Sequence, residues 1–127
     1  MKRLALLALL TAPAQAQTSP PPAPVPLTLG TTEITLQGEI HPLTLQRYRF
    51  PAQKGQELHI RLLSASAAPR FQLAEPDGIP LYDSQNGATG PEYDGLTPQT
   101  GTYEIRVFLP RNNNSKNVPF TLVSSLR

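Results

Sequence analysis

Apolar and polar positions alternate along much of this chain, most clearly in residues 102–109. There Tyr103, Ile105, Val107 and Leu109 interleave with Thr102, Glu104, Arg106 and Phe108. A period of two in β-branched and aromatic residues predicts a β-strand with one buried face. Thr100-Gly101 opens the strand with a turn, and Pro110, which has no N–H for a ladder, closes it. A polar run then follows, Arg111-Asn112-Asn113-Asn114-Ser115-Lys116-Asn117. A well-specified strand thus ends in a cationic, amide-rich loop, an arrangement suited to binding that offers no catalytic group.

The same period recurs elsewhere. Ile34, Leu36 and Gly38-Glu39-Ile40 make a first strand, and His41-Pro42 marks a turn or an edge. Tyr48 and Phe50 point inward, with Arg47 and Arg49 toward water. Pro51-Ala52-Gln53-Lys54-Gly55-Gln56 reads as a loop, its glycine supplying a positive φ. Leu58, Ile60 and Leu62 share a face opposite His59 and Arg61. Phe71 and Leu73 form a short strand that returns through the turn Glu75-Pro76-Asp77-Gly78 into residues 79–82. Residues 83–94 read as a long polar loop, Leu96 starts a short segment, and residues 118–124 are the last strand, carrying Phe120 and Leu122. No stretch sustains a helical period. The expected fold is all-β, a single antiparallel β-sandwich of about seven or eight short strands. Its core should contain Tyr48, Phe50, Leu58, Ile60, Leu62, Phe71, Leu73, Tyr103, Ile105, Val107, Phe120 and Leu122, whose parity matches one sheet face.

Composition adds a compartment. Met1-Lys2-Arg3, a short apolar run and Ala14-Gln15-Ala16 form a secretory signal peptide over residues 1–16, with cleavage after Ala16. Residues 17–26, Gln-Thr-Ser-Pro-Pro-Pro-Ala-Pro-Val-Pro, read as an extended, proline-rich flexible spacer. The domain is expected over residues 27–127. With no cysteine in the chain, a lipid anchor on an N-terminal cysteine, disulfides and thiolate metal sites are excluded. The formal charge of +2 includes Lys2 and Arg3; without them nine basic residues face nine acidic ones. That balance argues against nucleic acid or an anionic membrane as the main partner.

Candidate chemistry is sparse. His41 and His59 lie in different segments without metal-ligand spacing. Asp77, Asp83, Glu92 and Asp94 lack the spacing of a calcium loop and read as solvated turn acids, a weak calcium site being the other reading. No serine nucleophile motif, phosphate cradle or carboxylate pair stands out. No enzyme and no cofactor are expected. Arg106 reads either as a partner-binding cation or as the cross-strand partner of a carboxylate on the sheet face. Arg111 reads as a binding cation or a solvated loop residue; arginine is favoured at interfaces because its planar fork grips carboxylates with two hydrogen bonds.

The segments Gly38-Glu39-Ile40, Tyr48-Arg49-Phe50, Lys54-Gly55-Gln56-Glu57-Leu58, Thr100-Gly101-Thr102-Tyr103-Glu104-Ile105-Arg106-Val107 and Arg111-Asn112 resemble the periplasmic inhibitors of g-type (goose-type) lysozyme. They also resemble the wider bacterial pre-peptidase C-terminal domain-like group. The likeness spans residues 32–122; its Gly-x-Tyr strand is common to the wider group, and the Arg106 to Asn112 spacing is more particular to the inhibitors. The resemblance implies a periplasmic β-sandwich whose loops enter the lysozyme cleft. Such a cleft must hold a catalytic carboxylic acid, against which a cation is apt. It further implies a g-type lysozyme as partner and Arg111, Arg106, Asn112, Thr100, Gly101, Tyr103 and Lys116 as partner-binding residues. Thr100 stands where the inhibitors carry a serine, Leu43 where a tyrosine follows their Gly-Glu-Ile, and Ser115 where they use a second loop arginine. Two functions are expected from this: lysozyme inhibition by loop insertion, or a non-inhibitory exported binding module for a glycan or an envelope protein.

Overall fold

The computed structural model describes residues 23–85, 87, 90–110 and 116–127. Within them the chain forms nine strands and no helix: β1 (Val25–Pro26), β2 (Ile34–Ile40), β3 (Gln46–Ala52), β4 (Glu57–Leu63), β5 (Arg70–Ala74), β6 (Pro80–Asp83), β7 (Glu92–Leu96), β8 (Gly101–Phe108) and β9 (Val118–Leu126). They make a five-stranded sheet, β1-β3-β8-β5-β6, and a four-stranded sheet, β2-β9-β4-β7. Neighbouring strands are antiparallel except β1, which runs parallel to β3.

Both sheets contribute to one apolar core. Tyr48, Phe50, Phe71, Leu73, Tyr103, Ile105 and Val107 come from the five-stranded sheet, and Leu58, Ile60, Leu62, Phe120 and Leu122 from the four-stranded one; all are buried. The alternation that predicted them is set by the pleat, which sends successive side chains to opposite faces. Phe50 stacks on Tyr103 with ring centroids 5.8 Å apart, and in a second set Tyr82 meets Phe71 at 5.7 Å and Tyr93 at 5.3 Å. Gly38 leaves room for the ring opposite: a Cβ there would lie 2.8 Å from Phe120 Cζ.

Some boundaries differ from those expected. Val25 and Pro26, assigned to the spacer, pair with Tyr48 and Arg49, and Leu27 N–H donates to the Arg49 carbonyl at 2.7 Å. β1 is an outer strand, where a proline costs no ladder bond on its open side. Pro51 and Ala52 extend β3 beyond the reach of β1, again on an open edge. Leu96 ends β7 rather than starting a segment. That strand, Glu-Tyr-Asp-Gly-Leu, was hidden because acidic residues and glycine are poor strand formers; as an edge strand it turns only Tyr93 toward the core. The count of nine exceeds the expected seven or eight through the two-residue β1.

Ile105 sits fully buried at the centre of β8, between β3 and β5. Ile105→Ala should therefore cost roughly 2–5 kcal/mol in urea unfolding. A loss well under ~1 kcal/mol would show that this position is not packed from both sheets.

Candidate functional site

The two ends of the sheets are built differently. At one end lie the connections at residues 53–56, 75–79 and 97–100. Thr100 accepts a hydrogen bond on Oγ1 from the Lys54 N–H at 2.9 Å. Thr97, itself buried, donates from Oγ1 to the Gln53 carbonyl at 2.5 Å and accepts from the Gln56 N–H at 3.0 Å. The Tyr103 hydroxyl donates to the Gln99 carbonyl at 2.5 Å and accepts from the Gln99 N–H at 3.0 Å. This is the corner in which a buried tyrosine ties a strand to the backbone four residues upstream. Gly101 has φ 153°, and a Cβ there would meet Pro76 Cγ at 2.6 Å. Thr100, Gly101 and Tyr103 therefore brace this end, and Tyr103 has no accessible surface to offer a partner.

The other end carries the connections at residues 41–45 and 109–117. They leave together because Ile40, ending β2, pairs with Val118, starting β9. His41-Pro42-Leu43-Thr44 is a tight turn in which Thr44 N–H and Oγ1 both donate to the His41 carbonyl, at 3.2 and 2.6 Å. Leu43 takes φ 63° and is 93% exposed. Left-handed backbone in a residue with a Cβ costs about 1–2 kcal/mol, and glycine or asparagine normally fills such a place. Lys116 is exposed at the same end. Arg111 and Asn112, together with Ser115, lie outside the described residues. β8 separates the two ends by about 20–25 Å, so the expected site residues do not form one cluster: Thr100, Gly101 and Tyr103 stand at one end, Lys116 at the other.

Arg106 belongs to neither end. It lies on the outer face of the five-stranded sheet, where its Nε donates to Glu104 Oε1 at 2.5 Å and its NH1 to Gln72 Oε1 at 2.8 Å. The carboxylate it meets is thus on its own strand, two residues back, and the residue directly across from it is Arg47. Arg49 Nε donates to Glu104 Oε2 at 2.8 Å, and Arg47 NH1 lies 3.7 Å from the same oxygen. Burial opposes ionisation of Glu104, but the hydrogen bonds from Arg106 and Arg49 outweigh it and hold the carboxyl below the usual carboxylate range. Arg47 and Arg49 were legible as outward-facing, but their convergence on Glu104 needed the register of β3 on β8.

The remaining polar groups are dispersed. His59, on the outer face of the other sheet, has Nε2 3.5 Å from Glu92 Oε2 and Nδ1 3.9 Å from Asp94 Oδ1. Asp77 and Asp83 accept backbone hydrogen bonds from Ile79 and Gln85 in their own turns. Among the described residues no group of three or more such side chains is placed to hold a metal ion.

Two sheets over a shared core define the class of fold, and comparison with known proteins shows what this fold is similar to. No protein-family model and no curated protein matches the chain. Solved structures do. PliG of Aeromonas hydrophila, a periplasmic inhibitor of g-type lysozyme, matches with a TM-score of 0.64 and 19% identity, over 83% of this chain and 100% of that one. PliG of Salmonella Typhimurium, also an inhibitor of g-type lysozyme, gives 0.62 and 22% over 83% and 100%. The pre-peptidase C-terminal domain of a Bacillus anthracis collagenase gives 0.64 and 15%, over 87% and 100%. At these identities the likeness is one of fold.

Glu104 carries a pH prediction. Its folded pKa is depressed, so its stabilising contribution is present above the unfolded carboxylate pKa and is lost as pH falls through the folded value. Glu104→Gln should be less stable than the wild type at neutral pH, and the gap should narrow as the solution is acidified. Thermal unfolding of both proteins across acidic pH measures this; a gap that stays constant or widens on acidification would contradict it.

Proposed function

We propose that the chain is an exported, periplasmic inhibitor of a g-type lysozyme that inserts loop residues into the lysozyme's active-site cleft. The leader is residues 1–16, the spacer starts at residue 17, and the two sheets form a single β-sandwich domain that β1 carries back to Val25. The likeness of fold to the PliG inhibitors over their full length supports this reading, as does the Arg106 to Asn112 spacing. The observation particular to this chain is Leu43, an apolar side chain held in the open in left-handed backbone. Neither stability nor solubility favours leucine there, whereas an apolar anchor entering a cleft would offset the cost. Leu43 and Arg111 belong to connections that leave the same end of the domain. Arg111, directly after Pro110 in sequence, is the central cation for the catalytic carboxyl of the cleft, and Asn112 and Lys116 of the same connection are further contact residues. The opposite end, with Thr100, Gly101 and Tyr103, supports the domain. No catalytic group of its own takes part.

A second reading, a binding module without inhibitory action, has one specific support: the collagenase domain matches as well as the inhibitors do. The two are separated by titrating the purified protein into a g-type lysozyme and following cell-wall lysis. Inhibition supports the first reading; its absence leaves the second.

Two variants then locate the contact. Arg111→Ala should weaken binding by roughly 2–5 kcal/mol, mostly through faster dissociation, because it leaves a desolvated carboxylate unpaired. Leu43→Asn should raise folding stability by about 0.5–1 kcal/mol, since asparagine tolerates positive φ, and yet weaken inhibition. Lysis assays with thermal unfolding as control measure both. A well-folded Arg111→Ala protein that inhibits undiminished would remove Arg111 from the mechanism, and a Leu43→Asn protein that does the same would remove Leu43.

A further inference from the structure

Four edge strands border the two sheets, β1 and β6 on one, β2 and β7 on the other. Three of them are blunted against further pairing. β1 is two residues long and holds Pro26, and the length of β3 that it leaves open carries Pro51. β6 opens with Pro80, and its ladder to β5 shifts register between Leu73 and Ala74. β7 places Glu92, Asp94 and Gly95 among its five residues. Short length, proline, irregular pairing and charge are the devices by which a sheet avoids adding a strand. β2 lacks them. Its seven residues, Ile-Thr-Leu-Gln-Gly-Glu-Ile, hold no proline and a single charge, and they pair with β9 without a register shift. Among the described residues no backbone hydrogen bond outside that ladder reaches β2. Its other side therefore presents a row of open N–H and C=O groups. Ile34 and Leu36, on its core side, are only half-buried.

The sequence of this edge complements itself. A twofold axis through Gln37, normal to the sheet, sets all seven residues opposite those of a second copy, core side to core side and outer side to outer side. On the outer side Thr35 then stands across from Glu39 of the second copy, and Gln37 across from Gln37. In the same register Glu33 meets His41, so no acid faces an acid, as a stable cross-strand pairing requires. On the core side Leu36 faces Gly38, which has no side chain to displace, and Ile34 faces Ile40. We propose that the chain forms a symmetric dimer by antiparallel pairing of β2 with β2 of a second copy, which joins the two four-stranded sheets into one of eight strands. Because the paired strands run in opposite directions, the ends bearing Leu43 point away from each other. The dimer leaves both of them open and does not rest on the lysozyme reading.

The test is sedimentation of the purified chain from micromolar to millimolar concentration, with charge variants that read the register. A reversible monomer–dimer equilibrium is expected. Thr35→Glu sets a glutamate against Glu39 at two symmetric places and should weaken association by about two- to thirtyfold. Adding Glu39→Lys to that variant should restore it, because each glutamate then faces a lysine. Thr35 and Glu39 are both exposed, so the fold should tolerate these changes. Should a variant fail to fold, hydrogen exchange of the wild type still decides: amides of residues 34–40 should slow as concentration rises, with those of β7 unchanged. A dimer whose β2 amides exchange no more slowly than in the monomer, a folded Thr35→Glu protein that dimerises as tightly as the wild type, or a double variant that fails to recover would overturn the proposal. So would a chain that stays monomeric to millimolar concentration, which leaves the edge to a strand of another protein.

Discussion

Burial of Tyr103, Ile105 and Val107 between the two sheets is the constraint on which the other features depend. These side chains have no accessible surface, and β8, which carries them, is paired on both sides. Because the side-chain period of a strand is two, a slip of one residue would drive Glu104 and Arg106 into the core. The same parity that fills the core therefore places Glu104 and Arg106 on the outer face, beside Arg47 and Arg49 of the neighbouring strand. Core packing and surface charge are two consequences of one register.

The strand also separates two ends that are built differently. Where β8 begins, Gly101 packs under Pro76, and the Tyr103 hydroxyl grips the Gln99 backbone. Hydrogen bonds from and to Thr97 close the same end. Groups so thoroughly engaged have little left for a partner. Where β8 finishes, Leu43 stands in solvent at a backbone angle that disfavours it. Loops that bind are commonly carried by a rigid scaffold and hold strain that the scaffold supports. The division between a satisfied end and one that holds Leu43 in strained backbone is the physical basis for proposing contact at the second.

Much of the fold was legible because alternation reports which face a strand buries, and each predicted core residue is buried. The strands that escaped lacked that signal. β7 turns only Tyr93 inward among acidic residues and glycine, and β1 contains a proline. The candidate site was less legible. A Gly-x-Tyr motif marks a backbone brace as readily as a contact; the resemblance implies Gly101 and Tyr103 as binding residues, whereas in the structure they hold a corner. The meeting of Arg47, Arg49 and Arg106 at Glu104 depends on β3 lying beside β8, a pairing between residues far apart in the chain. The backbone angle of Leu43 arises from a turn with proline in second place, and the leucine in third place concealed it, since glycine or asparagine is the usual sign.

Hydrogen–deuterium exchange of the protein, alone and with a g-type lysozyme, tests most directly whether the end bearing Leu43 is the one that meets a partner. Slower exchange is predicted in the presence of lysozyme at residues 41–45 and 109–117, with residues 53–56 and 97–101 unchanged. Protection confined to the braced end, or no protection anywhere, would contradict it.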